Sequence, residues 1–121
     1  MTTRTSQELA TAVMRRLGAI DINKEPTDAQ RSAISNLYEE KLAELIPEDR
    51  VYWTSDAIPL AVFGAMTRII AEEFAPSIGM EIPTEQDETG NAVSIGNHGL
   101  MMLKRHMARE PSGVPTAATY F

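Results

Sequence analysis

Apolar residues in this chain fall into four stretches of helical spacing, separated by glycine, proline and polar residues. In the first, Leu9, Ala10, Val13, Met14 and Leu17 share one helical face, while Thr11, Arg15 and Arg16 fall on others. Thr5 and Glu8 stand at capping-box spacing ahead of it, so each can bond the other's backbone N–H. Gly18 supplies a stop. The pattern predicts a helix over about 5–17, then a loop over 19–26.

The second stretch begins at Pro26, with Thr27 as N-cap and Gln30 as its capping-box partner. Ile34, Leu37, Tyr38, Leu42 and Leu45 form its stripe, and Pro47 ends it. Lys41 lands in the middle of that stripe. It reads either as a lysine whose stem lies along the core edge or as a charge paired with a carboxylate at a subunit contact. A connector over 48–55 carries the single tryptophan, Trp53, a packing residue or an interface residue.

The third stretch is predicted to start with Ser55 or Asp56 as cap and Pro59 in the first turn. Leu60, Val62, Phe63, Met66, Ile69, Ile70 and Phe74 cover most of its circumference, and Arg68 and Glu72 mark a narrow polar sector. A helix apolar nearly all round is a central, buried one. Gly64 costs it ~1 kcal/mol relative to alanine, which close approach of a neighbouring helix would offset. Pro76 and Gly79 close it.

Residues 80–96 are polar, contain glycine and concentrate Glu81, Glu85, Asp87 and Glu88. They read as a long loop, either mobile or ordered by a partner. A fourth helix follows within 97–110. Leu100, Leu103 and Met107 face its core, Met101 and Met102 point away from that stripe, either for adaptable contacts or as core filling, and Arg105 and Arg109 share a face. Pro111, Gly113 and Pro115 then impose an extended tail ending in Tyr120 and Phe121. The expected fold is all-α: a bundle of about four helices over 1–110, with a polar loop at 80–96, and an extended docking tail over 111–121.

Composition narrows the chemistry. The 121 residues allow one domain with a real core. The absence of cysteine removes disulfides, thiol catalysis and thiolate metal sites. The charge-free run between Asp56 and Arg68 is shorter than the ~20 residues that span a bilayer, and the N-terminus has no apolar stretch of signal-peptide type. The expected protein is soluble, intracellular when made, and has no membrane partner. A formal charge of −6 argues against general affinity for a nucleic-acid backbone. His98 and His106 lie eight residues apart, not at the i, i+4 spacing of helical metal sites. No phosphate-binding glycine loop or nucleophile elbow is present. The neighbouring pairs Glu39–Glu40 and Glu72–Glu73 diverge on a helix. The expectation is no enzyme, no metal and no cofactor.

The runs ELATAVMRRLGAID (8–21), EPTDAQRSAISNLYEEKLAEL (25–45) and WTSDAIPLAVFGAMTRIIAEEFAPSIG (53–79) have a shared cadence. A short helix ends in Leu-Gly. A proline-threonine cap opens a longer helix. An aromatic, Ile-Pro start leads into an alanine-rich apolar helix closed by Ala-Pro-x-x-Gly. Together with the terminal Thr-Tyr-Phe, this resembles the head-to-tail adaptors of tailed bacteriophages, the packaged-DNA-stabilising proteins beneath the portal. The likeness covers about 8–79 and weakens over 80–96.

The resemblance implies a structural virion protein, made in the host cytoplasm and found at the head–tail interface. Its copies form a ring on the portal protein, linking capsid to tail and helping retain packaged DNA. Its partners would be the portal, neighbouring adaptor copies and tail or nozzle proteins. DNA would pass through without specific binding. The tail would run along the portal through Val114, Pro115, Thr119, Tyr120 and Phe121. Large apolar groups at a chain end that cannot build a core independently suit such docking. Lys41, Met101, Met102, Arg105 and Arg109 are the candidate subunit or tail contacts. Glu81, Glu85, Asp87 and Glu88 would face the channel, where acidic groups repel phosphate. The alternative is a small acidic regulatory protein that binds a single phage or host target.

Overall fold

The computed structural model describes residues 3–21, 23–48 and 51–109. Four helices carry the fold: α1 (Ser6–Arg16), α2 (Asp28–Leu45), α3 (Leu60–Phe74) and α4 (Ile95–Arg109). Two antiparallel two-stranded ribbons join them. β1 (Thr3–Arg4) pairs with β2 (Ile58–Pro59), and β3 (Thr84–Gln86) pairs with β4 (Ala92–Ser94). The fold is therefore mostly helical with small strands, rather than purely α.

The ends of α1 and the start of α2 follow their sequence signals closely. Thr5 accepts from the Glu8 amide while Glu8 Oε1 accepts from the Thr5 amide at 2.9 Å. Thr27 and Gln30 repeat this reciprocal cap on α2. After α1, Gly18 sits at φ +72°, with its N–H bonded to Arg15 O and the next N–H to Met14 O. This double bond satisfies carbonyls that the helix end would otherwise leave open. After α3, a 3₁₀ turn over Ala75–Ile78 ends at Gly79, again left-handed.

One core joins the helices. Leu9, Val13 and Met14 of α1 meet Ile34, Tyr38 and Leu42 of α2, and Val62, Met66, Ile70 and Phe74 of α3. α3 is central, as its nearly continuous apolar surface requires. α4 runs antiparallel to it and adds Ile95 and Leu103, both essentially fully buried. Two glycines permit the closeness. A Cβ on Gly99 would stand 2.6 Å from Ala65 O and 2.9 Å from Ile69 Cγ1, and one on Gly96 would meet the Glu72 side chain at 2.7 Å.

Several expectations need correction. α3 starts at Leu60, not near Ser55 or Asp56. Pro59 is locked in extended backbone and, with Ile58, pairs β1, so the helix cannot begin earlier. Asp56 caps α1 instead, accepting from Ser6 N and Oγ at 2.9 Å each. Gly64 does not mark the close helix contact. A Cβ there would meet Arg68 Nη1 at 3.3 Å and the Met102 methyl at 4.0 Å, side-chain atoms rather than backbone. Residues 80–96 are not a structureless loop: 84–94 form the β3–β4 hairpin and 95–96 begin α4. Asp87 Oδ1 ties the turn by accepting from Thr89 N and Oγ1 and from Asn91 N, and Gly90 takes φ +86°. Met102 does not point away from the core but is half-buried against it. The proposed docking tail, with Val114, Pro115, Thr119, Tyr120 and Phe121, lies outside the described residues.

The two glycines make different predictions. Gly99→Ala must separate α3 from α4 or distort backbone, a destabilisation of about 1–3 kcal/mol. Gly64→Ala asks Arg68 Nη1 to shift by a few tenths of an ångström and gains up to about 1 kcal/mol of helix propensity, so its net effect is close to neutral. Urea denaturation of the two variants beside the parent chain reads this contrast directly.

Candidate functional site

Helix α3 is almost wholly apolar, so its one cation, Arg68, sits where α1, α3, α4 and the hairpin converge. Arg68 Nη1 donates to Gly64 O at 3.1 Å, and Nε donates to Glu85 Oε1 at 2.8 Å. Glu85 lies mid-strand in β3. Its other oxygen accepts from Arg16 Nη2 of α1 at 2.7 Å. His98 of α4 completes the group, with Nδ1 at 2.6 Å from Glu85 Oε1. One carboxylate thus ties the hairpin to three helices. Burial pushes the Glu85 carboxyl up, but the bonds from His98 and Arg68 and the charges of Arg68 and Arg16 outweigh it and hold the group at about 2. An ionised carboxylate only accepts hydrogen bonds, so the Nδ1 of His98 must carry the proton between them.

Arg16 and Arg68 also border an open groove of about 580 Å³ between α1 and α3, lined besides by Ala12, Arg15, Phe63, Gly64 and Thr67. The Thr67 hydroxyl is occupied, donating to Phe63 O at 2.8 Å. A second depression of about 340 Å³ shares Ala12, Arg15 and Phe63 with the first and extends it to Arg4, Glu8, Thr11 and Glu25. The combined trough has a small apolar floor and a rim of four arginines interspersed with Glu8 and Glu25. Leu60, one turn before Gly64 on α3, remains 46% exposed.

The remaining predicted residues distribute as follows. Glu88 pairs with Arg105. Asp87 is consumed in its own turn, and Glu81 is exposed. Three of the four acidic loop residues are therefore engaged within the chain. Lys41 lies 2.8 Å from Glu73 Oε1 and 3.2 Å from Glu44 Oε1, joining α2 to α3. Burial depresses its ammonium pKa, but the hydrogen bonds to Glu73 and Glu44 prevail and raise it. Met101 is half-buried, and the side chain of Arg109 lies outside what is described. Trp53 packs on the core and donates to Tyr38 OH at 3.2 Å, while Tyr52 OH contacts His106 Nε2 at 2.8 Å. Among the described residues no group of three His, Cys, Asp or Glu could hold a metal ion.

The Glu85 cluster itself was not foreseeable from sequence spacing. Its members are 13, 17 and 69 residues from Glu85. The isolated Arg68 within an apolar helix was the signal that a partner was required. Comparison with protein-family models, curated proteins and solved structures gives no match.

The depressed Glu85 carboxyl sets a pH signature. Its ordinary value is 4.5 and its folded value about 2. The folded group is the stronger acid, so its contribution is complete above about 4.5 and vanishes as pH falls toward 2. Glu85→Gln is expected to cost about 1–2 kcal/mol at neutral pH and to flatten the loss of stability between those limits, as read by denaturation midpoints across pH.

Proposed function

We propose that this chain is a structural head-to-tail adaptor of a tailed bacteriophage, acting through protein contacts in a ring beneath the portal. The observation that carries this reading is the division of labour among its polar groups. The strongest charge cluster is directed inward, fastening a hairpin to three helices. The open surface offers an arginine-rimmed groove together with exposed Ile46, Leu60, Ile78 and Ile82. Such a surface suits adhesion to other proteins. The His98–Glu85 pair resembles a base and its orienting acid, but two arginines hold Glu85 and its role is mechanical. The helix order and punctuation that carry the adaptor resemblance, 8–79, build α1, α2 and α3.

The regulatory alternative loses one of its supports. Mimicry of nucleic acid needs uncompensated negative charge, whereas Glu85 and Glu88 are each matched by arginine. The same pairing weakens the idea of a charged channel lining at 81–88. On the proposed reading the hairpin serves as a brace.

Native mass spectrometry of the purified chain with the portal ring of the same phage tests the function. The adaptor reading expects saturation at one copy per portal subunit. It also expects a chain lacking 114–121 to keep its helical circular dichroism while losing portal binding. Absence of any complex with the intact chain counts against the function. Undiminished binding by the truncated chain counts against the tail alone.

A further inference from the structure

Arg4, Arg15, Arg16 and Arg68 are four of the chain's eleven lysines and arginines, and all four border one trough, with Glu8 and Glu25 the acidic residues lining it, in a protein of formal charge −6. The rim is only loosely neutralised toward its Arg4 end. Arg15 lies 3.6 Å from Glu25 and Arg4 lies 3.7 Å from Glu8, each between substantially exposed side chains. Exposed pairs of this kind contribute little and exchange readily for a better-placed carboxylate. Beneath them lie Ala12, Phe63 and Gly64.

The complement stands on the far side of the same chain. α2 turns Ile34, Tyr38, Leu42 and Leu45 into the core, so Asn36, Glu40 and Ala43 form its outermost ridge, with Glu39 beside them. All four are exposed. Glu39 and Glu40 have no side-chain ion pair or hydrogen bond among the described residues, and the next residue, Lys41, turns inward to Glu73 and Glu44. The ridge is narrow, since Asn36 and Ala43 are short. It spans about two helical turns, as does the α1 wall of the trough between Glu8 and Arg15.

A trough meeting its own copy would set arginine against arginine, which is unfavourable. It therefore needs a different surface. We propose that the trough between α1 and α3 receives residues 36–43 of α2 from a second copy of this chain, with Glu39 and Glu40 meeting Arg15 and Arg4. Two different patches then mate, a head-to-tail contact that generates a ring when the rotation closes. The proposal deepens the adaptor reading and rests on it for biological setting, though the contact itself is a property of the chain. Arg16 and Arg68 stay with Glu85, so the hairpin remains in place when the trough fills.

The absence of native cysteine permits a direct test. Full-length A12C, in the trough, and A43C, on the ridge, are mixed at millimolar concentration and treated with a short bismaleimide. S77C, at an exposed site on neither surface, serves as control. The expected product is the A12C–A43C heterodimer in excess over A12C–A12C and over either variant with S77C. Adding R15E to the A12C chain, or E40R to the A43C chain, should lower its yield about fivefold, and combining them should restore it. Yields no higher than the S77C control, or A12C–A12C as the main product, overturn the contact. Portal saturation in the native mass spectrum without the heterodimer removes this contact and leaves the adaptor reading. The heterodimer without portal binding does the reverse.

Discussion

The approach of α4 to α3 at Gly99 is the constraint from which the rest of the structure follows. With a hydrogen in place of a side chain, α4 lies against Ala65 and Ile69, and Leu103 and Ile95 become buried. That placement fixes the start of α4. Glu72 of α3 accepts from Gly96 N at 2.9 Å, and Ser94 Oγ accepts from Asn97 N at 3.3 Å, so two orphan amides of the first turn are satisfied. The hairpin leads directly into this turn. Its position follows, and with it the meeting of Glu85 with Arg16, Arg68 and His98.

Electrostatics then finishes what packing begins. A three-residue ribbon with an exposed, polar outer face has little apolar area to hold it down, and an isolated two-stranded hairpin is marginal in water. The charge-assisted bonds from two arginines, together worth about 1–2 kcal/mol, the cost expected for Glu85→Gln, are large on that scale. The same logic applies to Lys41, where a lysine inside an apolar stripe becomes a strut between α2 and α3. Much of this acidic chain's negative charge is thus employed in tying elements together. What is left at the surface is uneven: loosely paired Arg4 and Arg15 at the α1–α3 trough, and Glu39 and Glu40 on the exposed side of α2.

The sequence revealed the helices well because their signals are local. Capping boxes at Thr5 and Thr27, the stop at Gly18 and the closing Pro76–Gly79 turn each act within a few residues, and each appears in the structure. The hairpin escaped because its strands are three residues long with weak alternation, and its turn chemistry at Asp87, Thr89 and Gly90 was read only as loop composition. The start of α3 was misplaced because Asp56 has the right chemistry for a cap but serves α1, fifty residues away. The candidate site was least legible. Arg16, Arg68, Glu85 and His98 become neighbours only through tertiary packing, and the groove depends on which faces of α1 and α3 are left uncovered.

On the proposed function, these features describe a braced helical block that meets other proteins through its surface. A stiff body suits a part that holds position while DNA passes. Cryo-electron microscopy of purified particles of the parent phage tests that account most directly. It predicts density for residues 3–109 as a ring of copies between portal and tail, with the four-helix body recognisable in each. Mature particles that lack this chain at the head–tail junction would contradict it.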